Sequence, residues 1–213
     1  LNPGYESKSV GGSLYYNSKS GTCYNDSENA TTLCNFTSSG IKNDTTKNKI
    51  AEVTWNLGGW EGEYKYSNEV YKYERGTKVT SGNSTKWEGK IALPYSSDYG
   101  YATDFNKCSQ VLYNYHISTD SYACRSNDWI HAVITNSRST TSWLLTPSSY
   151  GEHTACHVSL GGSVDGCYNV NTGGAGTVYV AHGVTPTLFL NSTETIYKDK
   201  ATGSKDNPYK LTP

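Results

Sequence analysis

Two runs rich in strand-forming residues, 155 to 160 and 163 to 168, flank the dipeptide Gly161-Gly162. Both glycines can take positive φ, so the pattern predicts a two-residue β-hairpin. Such a turn sets Cys156 directly across from Cys167, within the Cα separation that a disulfide needs. Trp143-Leu144-Leu145-Thr146-Pro147 lies upstream, and Gly183-Val184-Thr185-Pro186 leads into Leu188-Phe189-Leu190 downstream. The stretch from Trp143 to Pro186 is therefore expected to build the central sheet. Short strands are expected at 143–145, 177–181, 184–190 and 195–198.

The first half reads differently. Leu14-Tyr15-Tyr16 is a short alternating run suited to a lead-in strand. Asp44 or Thr45 can cap a helix expected to reach about Thr54, burying Ile50 and Val53, before a turn that carries Trp55 and Trp60. Ser67 caps a second helix through Val70, Tyr71 and Tyr73, stopped by Gly76. A strand is expected from Trp87 to Tyr95, closed by Pro94. In Ser96-Ser97-Asp98-Tyr99-Gly100-Tyr101-Ala102 the aromatics alternate as in a strand or extended loop. Thr103 or Asp104 starts a short helix into Cys108 and Leu112, and Ser126 caps another through Trp129, Ile130 and Val133. The tail from Gly203 to Tyr209 reads as a polar turn. Helices early and strands late predict an α+β fold with an antiparallel sheet in the C-terminal half. No repeat or linker interrupts it, so residues 1–213 are expected to form one domain: a lead-in at 1–37 with its disulfide loop, and a core at 38–213.

Composition narrows the setting. Hydrophobic residues make up 35% and charged residues only 17%, with 19 tyrosines and 21 glycines, which argues against disorder and suits short strands and many turns. The net charge of -1 leaves no electrostatic footprint for nucleic acid or an anionic membrane, and no apolar run is long enough to span one. The six cysteines lie as three neighbouring couples, Cys23 with Cys34, Cys108 with Cys124, and Cys156 with Cys167. None has the spacing of a zinc ribbon or redox site. Local pairing into three disulfides implies an oxidising, extracellular compartment. Asn-x-Ser/Thr acceptors for glycosylation occur at Asn25, Asn29, Asn35, Asn43, Asn83 and Asn191.

Catalytic groupings are weak. Glu152-His153-Thr154-Ala155-Cys156-His157 would converge on a metal if helical, but on a strand His153 and His157 stand roughly 13 Å apart. No metal or other cofactor is expected. Gly173-Gly174-Ala175-Gly176 does not lie between a strand and a helix, so it reads as a loop tip rather than a phosphate cradle. Asp98, set among tyrosines, is the carboxylate with unusual surroundings, and it reads as a hydrogen-bond acceptor that fixes a loop. Asp98, Tyr99, Tyr101, Tyr113 and Tyr115 form the candidate ligand surface, because Tyr gives a large contact area at low entropic cost. Most of the tryptophans are expected in the core.

Several stretches carry a resemblance. They include Gly21-Thr22-Cys23-Tyr24, Cys34-Asn35-Phe36-Thr37, the run from Trp55 to Trp60, Trp87-Glu88-Gly89-Lys90, and the run from Pro94 to Ala102. Asn127-Asp128-Trp129, the run from Trp143 to Pro147, Gly183-Val184-Thr185-Pro186 and Asn207-Pro208-Tyr209 continue it. The chain resembles secreted, disulfide-bonded surface proteins of gut Firmicutes and Mollicute-like bacteria, many of them encoded behind a pilin-type helix. That resemblance implies a C-type-lectin-like domain, display on a cell surface or pilus, and no catalysis. Partners would be other subunits of a surface filament or a host or cell-surface ligand, protein or glycan. Thr185 departs from the arginine usual at that point, and Pro94 from a methionine. The loop motifs of calcium-dependent sugar binding are absent. A non-enzymatic display module, the head of a pilin-like subunit or an adhesin, is the expected function. A diversified lectin-like binder and a secreted carbohydrate-active hydrolase are the alternatives. Thiol titration of the denatured, unreduced protein is expected to find no free sulfhydryl; titratable thiols would remove the extracellular assignment.

Overall fold

The computed structural model describes residues 14–15, 24–25, 28–29, 44–62, 65–77, 85–116, 119–137, 141–148, 155–167, 182–193, 196–197 and 210–211. In chain order these form β1 (Leu14–Tyr15), β2 (Tyr24–Asn25), β3 (Glu28–Asn29), α1 (Asp44–Asn48), β4 (Val53–Asn56) and α2 (Ser67–Glu74). Next come β5 (Lys86–Gly89), β6 (Ile91–Ala92), α3 (Ser96–Tyr101), a 3-10 turn at Leu112–His116, α4 (Thr119–Ser126) and α5 (Trp129–Ser137). The strands β7 (Ser142–Pro147), β8 (Ala155–Val158), β9 (Val164–Asp165), β10 (Thr187–Leu188), β11 (Ile196–Tyr197) and β12 (Lys210–Leu211) complete the set. Every ladder between these strands is antiparallel, so the chain is mixed α+β. Cys23 and Cys34, the 177–181 strand, the Gly173–Gly176 loop, His153 and the 203–209 tail lie outside the described residues.

The expected central sheet is divided. β7, β8 and β9 form one three-stranded sheet, while β10 leaves it to pair with β6 from the first half of the chain. Gly183 joins the 183–190 segment to β7 through a parallel bridge to Ser142, beside a hydroxyl contact of Ser142 with Thr185. The short strands explain the division. Pro186 precedes β10 and has no N–H for a ladder, so pairing resumes only at Thr187 and Leu188.

The hairpin is present, but its turn holds three residues rather than two. Val158 faces Val164, Ser159 donates its N–H to Ser163 O at 2.8 Å, and Gly162 takes φ of 94°. This register would place Cys156 opposite Gly166. Gly166, at φ of 81°, inserts one extra residue as a bulge and brings Cys167 round to Cys156. The disulfides Cys156–Cys167 and Cys108–Cys124 are both formed. The turn is held from outside: Tyr99 Oη donates to Gly162 O at 2.7 Å, and Arg125 Nη1 to Gly161 O at 3.2 Å.

Several local expectations are corrected. α1 stops at Asn48, because Ile50 bridges Leu190 and the β-branched run from Val53 pairs with β5, setting Trp55 opposite Trp87. The 96–102 segment is a helix, not a strand: the Asp98 carboxylate reaches back to the Tyr95 N–H at 3.2 Å and starts it. The helix expected from 103 into Leu112 is a set of turns ending in the 3-10 segment, and α4, which the pattern did not predict, carries Cys124. In α5 the cap is Asp128 rather than Ser126, since its Oδ1 accepts the His131 N–H at 2.9 Å, and in α2 it is Tyr66 rather than Ser67, since the Glu69 carboxylate accepts the Tyr66 N–H at 2.9 Å.

β7 is buried at all six positions. Successive side chains on a strand leave opposite faces. Leu144 accordingly joins a core of Trp60, Val70, Tyr99, Leu112, Ile130 and both disulfides. Leu145 joins a second core around Trp55, Leu57 and Tyr95. Tyr99→Phe keeps the shape and removes the donor to Gly162 O, leaving that buried carbonyl without it. A loss of about 1–2 kcal/mol in urea unfolding is expected, with an unchanged circular dichroism spectrum.

Candidate functional site

The end of α3 and the start of α5 meet at one place. Trp129 donates its N–H to Ala102 O at 3.4 Å, and the buried Asp128 just before it accepts the Thr103 hydroxyl at 3.0 Å. This contact fixes the first turn of α5 against the exit of α3. Ile130 then points into the core, while Trp129 and Val133, four residues apart on one helix face, stay outside. The Trp129 side chain is unusually open for an indole, with 65% of the residue exposed.

Between these helices and the segment leading into β10 lies a groove of about 470 Å³. Asp98, Tyr101, Trp129, Val133, Thr185 and Pro186 are among the residues that line it, and Asp98 is its single charged side chain among the described residues. The Asp98 Oδ2 accepts the Tyr95 N–H, and no hydrogen bond to Oδ1 occurs among the described residues. Partial burial pushes its pKa up, against the opposing pull of the Tyr95 N–H and the Arg75 charge.

An aromatic ridge continues from the groove. The Tyr101 ring meets Tyr71 edge-on at 6.3 Å and Phe105 at 5.8 Å, and all three residues are exposed. The Arg75 guanidinium lies 3.9 Å from the centre of the Tyr71 ring and 4.3 Å from that of Tyr95.

The proposed ligand residues are thus separated. Asp98 and Tyr101 line the groove, whereas Tyr99 and Tyr115 are buried in the core with ring centroids 5.9 Å apart. Tyr113 is half-buried in the 3-10 segment and does not line the groove. Sequence reasoning missed Trp129 by assigning tryptophans to the core. Trp55, Trp60 and Trp143 do lie there.

Of the glycosylation acceptors, Asn35, Asn43 and Asn83 fall outside the described residues, and Asn25 and Asn29 lie in β2 and β3. Asn191 opens an exposed turn and donates its side-chain amide to Asn48 O at 2.6 Å. His157 lies on β8, stacked on His182 at 4.2 Å; burial first, then the charge of His182, lowers its pKa to about 3. Among the described residues no group of three His, Cys, Asp or Glu side chains is placed to hold a metal ion. The paired carboxylates of glycoside hydrolysis are likewise not assembled in the groove among the described residues, since Asp98 is the single carboxylate in its lining.

Behind the groove sits Glu74, fully buried at the end of α2. Its Oε1 accepts the Ser97 N–H at 3.1 Å and the Thr146 hydroxyl at 2.6 Å, and its Oε2 accepts the Ser97 hydroxyl and Arg75 Nη1, the latter at 2.7 Å. Burial outweighs these donors and raises its pKa to about 7.

No family model matches the chain, and no curated protein or solved structure matches it either.

A carboxyl whose folded pKa is raised contributes stability that is whole below its unfolded pKa and lost as pH rises through the folded one. For Glu74 that window runs from about 4.5 to about 7. Asp128, raised to about 7 mainly by burial, acts in the same direction, whereas the His157 contribution is whole above 6.5 and lost as pH falls. Glu74→Gln is therefore expected to flatten the fall in stability between pH 5 and pH 8. Relative to Glu74→Gln, the unmodified protein should lose on the order of 3 kcal/mol across that range. Urea denaturation of both proteins at the two pH values checks this; parallel curves would contradict it.

Proposed function

We propose that this chain is a non-enzymatic extracellular module displayed on a cell surface, the globular head of a pilin-like subunit or an adhesin, on a C-type-lectin-like scaffold. Two disulfides support the oxidising compartment. Low charge and abundant Tyr, Ser, Thr and Asn suit an exposed recognition surface. No described helix is long and apolar enough to cross a membrane. One observation carries the binding role: an aromatic-lined groove with a largely exposed Trp129 among its walls. An indole left in water with no packing role contributes little to stability, and Trp and Tyr are the side chains that dominate contact surfaces.

The reading separates binding from folding. The double variant Trp129→Ala/Tyr101→Ala is expected to shift unfolding by about 1 kcal/mol or less, because both side chains are exposed. In amide and indole NMR spectra of the full chain, titration with short peptides and small saccharides is expected to move resonances of Trp129, Tyr101 and Val133 first. Protease shaving of intact cells that express the native gene is expected to release the domain. Retention of the protein inside the cell would overturn the display role, and ligand shifts confined to other surfaces would overturn the groove.

A further inference from the structure

The groove has a chemical bias that the display role does not require. Its lining is mostly apolar and aromatic, and the single formal charge among the described lining residues is the Asp98 carboxylate. That carboxylate is half-buried and receives one backbone donor on Oδ2, while Oδ1 accepts none among the described residues. A carboxylate held partly out of water is stabilised most by a full positive charge that also donates hydrogen bonds. Arg75, whose charge reaches Asp98, forms no hydrogen bond with it among the described residues and instead lies against Tyr71 and Tyr95 and donates to Glu74.

The apolar part of the lining suits the rest of such a ligand. Tyr101 and Trp129 are exposed to 45% and 65%, and Val133 stands on the Trp129 face of α5. An alkyl chain laid along such walls buries methylene groups, and an ammonium beside electron-rich rings gains cation–π attraction. A volume of about 470 Å³ exceeds what one alkylammonium arm fills, which leaves room for flanking backbone.

We propose that the groove receives a lysine side chain from an extended segment of a protein partner, its ammonium on Asp98 Oδ1 and its methylene arm along Tyr101 and Trp129. This rests on the binding-module reading and names the ligand class for the same site.

The test uses the full oxidised chain and the peptide acetyl-Gly-Lys-Gly-amide, followed through the Trp129 indole N–H resonance, which Trp129→Phe identifies by its loss. Saturable shifts are expected. The Nε-acetyllysine form of the peptide, equal in backbone and lacking the charge, should bind about tenfold more weakly or worse. Asp98→Asn should abolish that discrimination. Because Asp98 also starts α3, the unfolding midpoint of Asp98→Asn is measured alongside. Trp129→Ala, at an exposed position and followed instead through the Val133 amide resonance, gives a second variant that should lose the peptide without loss of fold.

Equal binding of the two peptides would overturn the proposal. Tighter binding of choline than of the lysine peptide would overturn it in favour of a quaternary ammonium head group. Shifts at Trp129 with methyl glycosides and none with the lysine peptide would overturn the lysine while leaving the binding groove in place. No shift with any of these probes would remove both.

Discussion

A buried carboxylate organises this fold. Glu74 has no exposed surface, and three elements supply its hydrogen-bond donors: Arg75 just beyond α2, Ser97 from α3 through both N–H and hydroxyl, and Thr146 from β7. An ionisable group taken out of water costs several kcal/mol unless its oxygens are fully met. The arrangement is therefore close to all or none. If α3 or β7 shifts by an ångström, the carboxylate loses partners it cannot replace from solvent. The chain around it is fitted with the same economy. Thr146 Oγ1 also accepts the Ser96 N–H at 2.9 Å, and Gly58 donates to Glu74 O at 3.0 Å. A side chain at Gly58 would collide with the carbonyls that end α2, the Glu74 oxygen standing 2.7 Å from where a Cβ would lie.

The same constraint places the groove. Ser97, clamped by Glu74, precedes Asp98, whose carboxylate starts α3; Tyr101 ends that helix, and Ala102 and Thr103 receive the first turn of α5. The positions of Asp98, Tyr101 and Trp129 thus follow from a polar cluster of Glu74, Ser97 and Thr146 that does not itself line the groove. Rigid support of this kind lets exposed aromatics vary without disturbing the core. Tyr99, one residue from Asp98, faces inward and holds the hairpin turn through Gly162 O, so one short helix serves the core and the surface together.

The hairpin shows how two local signals can agree on one register while the structure adopts another. A Gly-Gly turn and an opposed cysteine couple agree on a two-residue loop. Tyr99 and Arg125 instead bind the turn carbonyls and favour a three-residue loop, and Gly166 absorbs the difference as a bulge. The Cys156–Cys167 bond survives because glycine at both adjusting positions tolerates positive φ.

The amino-acid sequence by itself determined what depends on near neighbours: the oxidised couples at 108–124 and 156–167, the helix from Ser67, the hairpin, and the mixed α+β character. Each follows from spacing, periodicity or turn chemistry within sixteen residues, although the helix from Ser67 is capped at Tyr66 and not by Ser67 itself. The Asp98 region was legible only as a place of interest. Its helix was misread because Tyr99 and Tyr101 alternate like strand residues, while the decisive contact is one carboxylate on the Tyr95 N–H. Tertiary structure alone decided that Glu74 is buried, that α1 yields to a strand paired with residues some thirty positions on, and that β10 leaves its expected sheet. It also decided that Trp129 stays in water beside Asp98 and Thr185. These outcomes turn on donors and walls contributed by distant segments, and no local pattern of apolar and polar residues encodes which segment will supply them.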